Sequence, residues 1–209
     1  FPMIIYDGML KYANFSPDIL QNIENGIGLH LQDIEDDERK DGGFLAIDLI
    51  DYIYAVLHSV TYRDTYHDFL QNDFPTIPYP ASAEYFFKMA EFGKRLRYLH
   101  ELKGIDRKDL ITTYPVIGEK DNNVVLIHKF EETNEGIGRV WINKEQYFDG
   151  VPLEAWNMII AGYQPLEKWL KDRKDKHLTS DEIIHYQKMV VALVKTIRTQ
   201  EKIDEIIEL

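Results

Sequence analysis

A chain of 209 residues with 44% hydrophobic and 12% aromatic content can bury a substantial core and is too apolar for disorder. The absence of Cys excludes disulfides and thiolate metal or nucleophile sites and fits a reducing cytoplasm; no apolar run or signal pattern suggests a membrane. The formal net charge of -12 counts against nucleic-acid binding by bulk charge, but it is uneven: residues 1–104 hold 9 basic and 17 acidic groups, residues 105–209 hold 15 and 19.

The chain opens Phe1-Pro2-Met3-Ile4-Ile5-Tyr6 without an initiator Met, so it is expected to be cut from a longer protein, starting inside a strand. Met3 to Tyr6 is a strand candidate ended by Asp7-Gly8. Ser16-Pro17-Asp18 predicts a helix start, with Phe15 and Leu20 as its hydrophobic staple and a stop near Gly26 or Gly28. The acidic run from Asp33 to Gly43 reads as a solvated loop. Ala46 to His58 is apolar around most of a helix and predicts a central buried one, with Tyr52, Ile53, Tyr54, Val56 and Leu57 in the core. Ser59 breaks it and caps a second helix through Tyr62, Tyr66, Phe69 and Leu70, giving a helical hairpin. Phe74 to Pro80 must be extended, because three prolines disfavour helix there. Ser82 then caps a long helix to about Lys103, ended by Gly104.

Residues 112–149 change character. Thr113 to Ile117, Val124 to Phe130 and Ile137 to Ile142 are strand candidates, with turns at Asp121-Asn122-Asn123 and Asn134-Glu135-Gly136. Pro152 to Ala161 returns to helix, and Gly162 ends it. Thr179-Ser180-Asp181-Glu182 is a capping box with Leu178 and Ile183 as staple, opening a last helix to about Ile207. The fold class is therefore α+β, mostly helical, with a small antiparallel sheet inserted between helical regions. The expected organisation is an N-terminal strand and helical part (1–111), a sheet part (112–150) and C-terminal helices (151–209), together one compact domain.

Catalytic chemistry should leave a trace, and none is visible. Gly136-Ile137-Gly138 runs into a strand rather than a helix, so it is no phosphate loop. There is no His-Glu-x-x-His pair; His58 and His67, nine residues apart, read as structural, and Ser59 as a cap rather than a nucleophile. The carboxylates Glu35 to Glu38 lack the alternating spacing of a calcium loop. An adenine methyltransferase needs an Asn-Pro-Pro-Tyr-type loop, which is absent. No catalytic residue, metal ligand or bound cofactor is expected in this chain.

The stretch Gly162 to Lys176 stands out, with five Lys/Arg against three Asp/Glu, interleaved with Tyr163 and Trp169. Cations beside aromatic faces suit a phosphate backbone and bases. The same spacing also fits an amphipathic helix with a solvated charged face and a Trp in the core.

Several long stretches in order carry a resemblance. They are Asp51-Tyr52-Ile53-Tyr54-Ala55-Val56-Leu57-His58-Ser59 continuing through Thr61-Tyr62-Arg63, then Asp73-Phe74-Pro75-Thr76-Ile77-Pro78. Farther on come Trp141-Ile142-Asn143-Lys144, Gln146-Tyr147-Phe148, Val151-Pro152, Trp156, Gly162 to Lys176 and His185-Tyr186-Gln187-Lys188. Together they resemble the C-terminal target-recognition (specificity) region of type ISP and type IIG-like single-chain restriction–modification enzymes. The likeness spans almost the whole chain. It implies a region that reads double-stranded DNA, while adenine-N6 methylation with S-adenosylmethionine, helicase and nuclease chemistry lie upstream. Two positions depart from that pattern: Thr76 stands where Arg is usual, and Val60 where Pro is usual. Within this frame the expected backbone contacts are Arg63, Lys168, Lys171, Arg173 and Lys174, and the expected base readers are Tyr163 and Gln164. Trp141, Trp156 and Trp169 are expected to pack. The alternative is a scaffold that docks the upstream domains without reading sequence; charge reversal at Lys171 and Arg173 separates the two.

Overall fold

The computed structural model describes residues 4–8, 10–115, 122–160 and 162–209. Met3, Val116, Ile117, Asp121 and Ala161, named above in strands, a turn and a helix, lie outside these. The chain divides into two compact units, residues 1–97 with 199–209, and residues 98–198.

In unit 1, strands β1 (Ile4–Asp7) and β2 (Leu10–Ala13) form an antiparallel hairpin. Helix α1 (Pro17–Ile27) starts after Ser16, whose backbone is extended but whose side chain makes no capping bond. It stops at Gly28, whose φ of 69° lets its N–H close onto the Glu24 carbonyl. Two-residue strands β3 (His30–Leu31) and β4 (Gly43–Phe44) pair in parallel. The acidic stretch between them is exposed in large part, yet it is tied down. Lys40 donates to Asp36 at 2.6 Å, and Arg39 donates twice to the buried Asp48, at 2.7 and 2.9 Å.

Helix α2 (Ala46–His58) buries Leu49, Tyr52, Ala55 and Val56. Ser59 ends it and caps α3 (Val60–Thr65), its hydroxyl accepting the Tyr62 N–H at 2.9 Å. The predicted second helix is interrupted at Tyr66, and α4 (His67–Leu70) is a single turn with no buried residue. Tyr66 takes φ -106° and ψ 21°, outside the helical range, so the turn does not fuse with α3, although Leu70 packs in part against the core. The segment 74–80 is extended, as its prolines require. Two core tyrosines anchor it: Tyr52 donates to the Pro78 carbonyl at 3.0 Å and Tyr62 to the Thr76 carbonyl at 2.9 Å.

Helix α5 (Ala83–His100) is capped by Ser82, which accepts the Tyr85 N–H at 3.1 Å. It lies so close to α2 that a Cβ on Gly93 would sit 1.7 Å from the Asp51 carbonyl oxygen. Beside that contact Arg97 donates to both Asp51 carboxylate oxygens at 2.7 and 2.9 Å. Helix α8 (Ser180–Asp204) returns its last residues to this unit. There Asp204 accepts the Ser59 hydroxyl at 2.5 Å and the Thr61 N–H at 3.2 Å, and Ile203 is fully buried. α8 stops at Asp204 rather than Ile207 because the N–H groups of Ile206 and Ile207 both turn back onto the Ile203 carbonyl. The core is aromatic, with Phe44 against Phe86 edge-on at 5.4 Å.

In unit 2, α5 ends at His100 instead of Lys103; Leu102 takes φ 54°, a left-handed conformation incompatible with helix. The sheet has strands β5 (Lys129–Asn134), β6 (Ile137–Trp141) and β7 (Tyr147–Pro152), antiparallel in that order. The predicted hairpin turn at Asn134-Glu135-Gly136 joins β5 to β6. Of the first candidate strand, Thr113 makes a single bridge to Asp149; the second begins at Lys129 rather than Val124. β7 is not among the strands the sequence suggests, and it contains Gly150 and Pro152, both poor strand formers. They fit here: Gly150 has φ 78°, the register slips near Gly138 and Arg139, and Pro152 sits at the end.

Helix α6 (Leu153–Asn157) is a correction to the predicted helix over 152–161. Ala155 and Trp156 are buried and hold its one turn, but Ile159 is 65% exposed and gives no packing to extend it. Ile160 and Tyr163 instead exchange backbone N–H···O bonds at 2.8 and 3.0 Å around a turn in which Gly162 has φ 83°. Helix α7 (Pro165–Lys171) follows, and α8 opens with the predicted reciprocal box, Glu182 N–H to Thr179 Oγ1 at 3.2 Å and Thr179 N–H to Glu182 Oε2 at 3.0 Å. Val140, Ile142, Phe148, Leu166, Leu170, Tyr186 and Val190 form the buried core.

Candidate nucleic-acid interface

The sequence Pro165-Leu166-Glu167-Lys168-Trp169-Leu170-Lys171 becomes helix for local reasons. Pro165 fits the first turn, Glu167 lies at the positive helix end and Lys168 and Lys171 at the negative end. Leu166 and Leu170, four apart, are fully buried and dock the helix on the unit 2 core. The charged residues between them face outward and pair along the surface. Lys168 donates to Asp172, and Lys171 to Glu167 at 3.0 Å. Glu167 also meets His128 Nδ1 at 3.2 Å.

Arg173 is held differently. Its Nε donates to Glu182 Oε1 at 3.0 Å, its Nη1 approaches the Trp169 carbonyl at 3.3 Å, and its guanidinium lies 3.6 Å over the Trp169 ring. Trp169 stacks on His185 at 5.7 Å and tilts against the buried Tyr186 at 5.4 Å. Glu182 is thus shared between the α8 cap and Arg173. The Thr179 N–H first, and the Arg173 guanidinium after it, hold its carboxyl below the usual carboxylate range. Burial, helped by the Arg173 charge, lowers the His185 pKa, and burial pushes the Tyr186 hydroxyl well up.

Of the seven residues named from the sequence, Tyr163, Gln164, Lys168, Lys171, Arg173 and Lys174 fall on one continuous surface stretch of unit 2, while Arg63 lies exposed on α3 of unit 1. Tyr163 is 61% exposed at the turn before α7, and Gln164 is half-buried at the helix N-cap. Lys174 is exposed and, among the described residues, has no ion-pair partner. Three of the cations are therefore engaged within the unit, Arg173 most completely. Sequence reasoning missed the residues that position them, above all Glu182, read only as a helix cap. Its second role shows only once the turn after α7 brings Arg173 back to the start of α8.

Each tryptophan packs: Trp156 is buried and stacks on Phe130, Trp169 lies on Tyr186, and Trp141 tilts against Tyr147 while donating its indole N–H to Glu131 at 2.6 Å. Among the described residues no group of His, Asp and Glu is placed to hold a metal ion, and no helix is long and apolar enough to cross a membrane.

No curated protein sequence matches the chain. Solved structures share its fold. A cryo-EM structure of a DrdV–DNA complex superposes with a TM-score of 0.67 at 18% identity, covering 99% of this chain and 21% of that one. The ATP-dependent type ISP restriction-modification enzyme LlaBIII bound to DNA gives 0.60 at 19% identity, covering 96% and 12%. A nuclease-deletion mutant of the type ISP enzyme LlaGI with a DNA substrate mimic gives 0.50 at 21% identity, covering 84% and 17%. The chain thus spans about a fifth or less of the length of these relatives. The model of the type ISP C-terminal specificity domain matches residues 1–209, from the first to the last, and the chain belongs to that family.

Proposed function

We propose that this chain reads a DNA target sequence as the specificity domain of a bacterial restriction–modification enzyme. It would hold double-stranded DNA for an adenine-N6 methyltransferase, and for helicase and nuclease domains where present, in the same polypeptide. The observation that carries this reading is the family match over all 209 residues. The related folds belong to proteins solved as complexes with DNA or a DNA mimic, which supports DNA as the partner. S-adenosylmethionine would bind in the methyltransferase domain, and the enzyme would act in the cytoplasm, where its DNA is.

The surface stretch suits this role. Tyr163 offers an exposed ring and Gln164 an amide able to bond adenine N6 and N7 together. Lys168 can exchange its exposed partner Asp172 for phosphate at little cost, because such surface pairs are worth about 0–1 kcal/mol, while Lys171 is half exposed beside the partly buried Glu167. Arg63 would add a contact from unit 1. The acidic surplus, concentrated in unit 1, implies that the other domains of the enzyme supply much of the electrostatic attraction.

The test is to map methylated bases left by the full-length protein carrying Tyr163→Ala and Gln164→Ala together. Both side chains lie outside the core, so folding should persist, and the set of modified sites should change or relax. Wild-type sites modified with wild-type preference would instead favour a scaffold that docks the catalytic domains without reading sequence.

A further inference from the structure

Two stretches distant in sequence are laid edge to edge in unit 2. The Val125 N–H donates to the Lys176 carbonyl at 3.0 Å, Asp175 N–H to the Val125 carbonyl at 2.8 Å, and Leu178 N–H to the Asn123 carbonyl at 2.9 Å. Val124 faces His177 as an antiparallel bridge. The far side of that stretch is fixed by Asn143, which is 2% exposed. Its Nδ2 donates to the carbonyls of Asn122 and Val124 at 2.7 and 3.0 Å. Its Oδ1 accepts the N–H groups of Glu145 and Gln146 at 2.8 Å each. Residues 122–125 are therefore bracketed by the turn carrying Lys174 and Lys176 on one side and the loop carrying Lys144 on the other.

All three of these lysines are exposed, and among the described residues none of their ammonium groups has a hydrogen-bond or ion-pair partner. This sets them apart from Lys168, Lys171 and Arg173, whose charges are already answered. An unanswered ammonium meets a phosphate without first giving up a carboxylate. Backbone bonding also fixes the loops beneath the three lysines, which lowers the ordering cost of binding.

Taking the DNA reading as given, we infer that Lys144, Lys174 and Lys176 form a phosphate-contacting rim of unit 2 and carry more of its contact with the DNA backbone than Lys168 and Lys171. Glu145, which accepts from the Asn122 amide at 3.2 Å, and Asp175 lie within the same rim and moderate its charge. The ligand chemistry is the duplex phosphate backbone, so the rim sets affinity and register rather than base choice.

The experiment is DNA affinity of the full-length protein as a function of salt, on a duplex carrying its site. Removing one lysine–phosphate interaction lowers the slope of log affinity against log salt by about 0.9 for duplex DNA. The triple variant Lys144→Ala, Lys174→Ala, Lys176→Ala is expected to reduce that slope by two to three such steps (about 1.8–2.7), with an unchanged Tm. The double variant Lys168→Ala, Lys171→Ala should lower it by about one step or less. An unchanged slope in the triple variant, or a larger reduction in the double one, overturns the rim while leaving the DNA reading intact. Failure of the wild-type protein to bind duplex DNA with any salt dependence overturns the DNA reading, and the rim with it.

Discussion

Unit 1 and unit 2 use the same kind of ion pair for opposite ends. In unit 1, Asp51 is 2% exposed and its partner Arg97 only 25% exposed. The pair sits where α5 presses on α2 at Gly93. In unit 2, Lys168 and Asp172 are about half exposed, as is Lys171, whose partner Glu167 is 26% exposed where Asp51 is 2%. Burial decides the difference. A desolvated carboxylate cannot lose its cation without leaving an uncompensated charge, whereas an exposed one falls back on water. The first pair fixes architecture, and the second pairs hold side chains on a surface from which another anion can recruit them.

The strongest test of this contrast is Arg97→Met, which should cost about 3–5 kcal/mol, because it strands the 2% exposed Asp51 carboxylate without its cation. A shift in the urea midpoint equivalent to less than about 1 kcal/mol would place this pair with the surface ones. Gly93→Ala comes next. Its methyl would meet the Asp51 carbonyl at 1.7 Å, and α2 and α5 must part to admit it, at a cost of about 3 kcal/mol. Thermal melting would read this as a large fall in Tm, and a neutral Ala would show that α5 can slide freely.

Glu182→Ala should cost about 1 kcal/mol, as it removes the reciprocal half of the α8 cap and frees Arg173. Here pH sharpens the comparison. The folded state holds the Glu182 carboxyl below its usual 4.5, so its contribution is fully present above that pH and lost as the pH falls through the depressed value. The stability gap between wild type and Glu182→Ala should be flat from neutral pH down to about 4.5 and close below it. A gap that instead began to close as the pH fell below about 6.5 would point to His185, whose pKa burial lowers from that value, not to Glu182. The smallest effect is Lys168→Ala, which should change stability by less than about 0.5 kcal/mol.

The sequence was most legible where a local rule is self-contained. Ser59, Ser82 and the Thr179–Glu182 box each satisfy a nearby N–H, so cap and helix start could be read within four residues. The prolines of 74–80 forced an extended segment whatever surrounded them. Reading failed where pairing supplied the reason. Tyr147 to Pro152 carries no strand signal until β6 lies beside it, and Pro152 to Ala161 looks like a helix until Ile159 proves to be 65% exposed. The candidate interface shows the same divide. The Gly162 to Lys176 window could be singled out by charge, and the structure bears out its amphipathic reading: α7 has Leu166 and Leu170 inside and the lysines on its outer face.

By itself the sequence determined the fold class, the main helices and the family, because caps, prolines and long apolar stripes act through neighbours in the chain. Only the tertiary structure decided which charges are spent and which are available. Arg173 and Lys174 are adjacent and equally basic on paper, yet one is folded over Trp169 onto Glu182 and the other stands free of any such partner among the described residues. A charge is answered by what lies within a few ångströms in space, and residues nine apart, such as Arg173 and Glu182, meet only when the backbone turns back to bring them there.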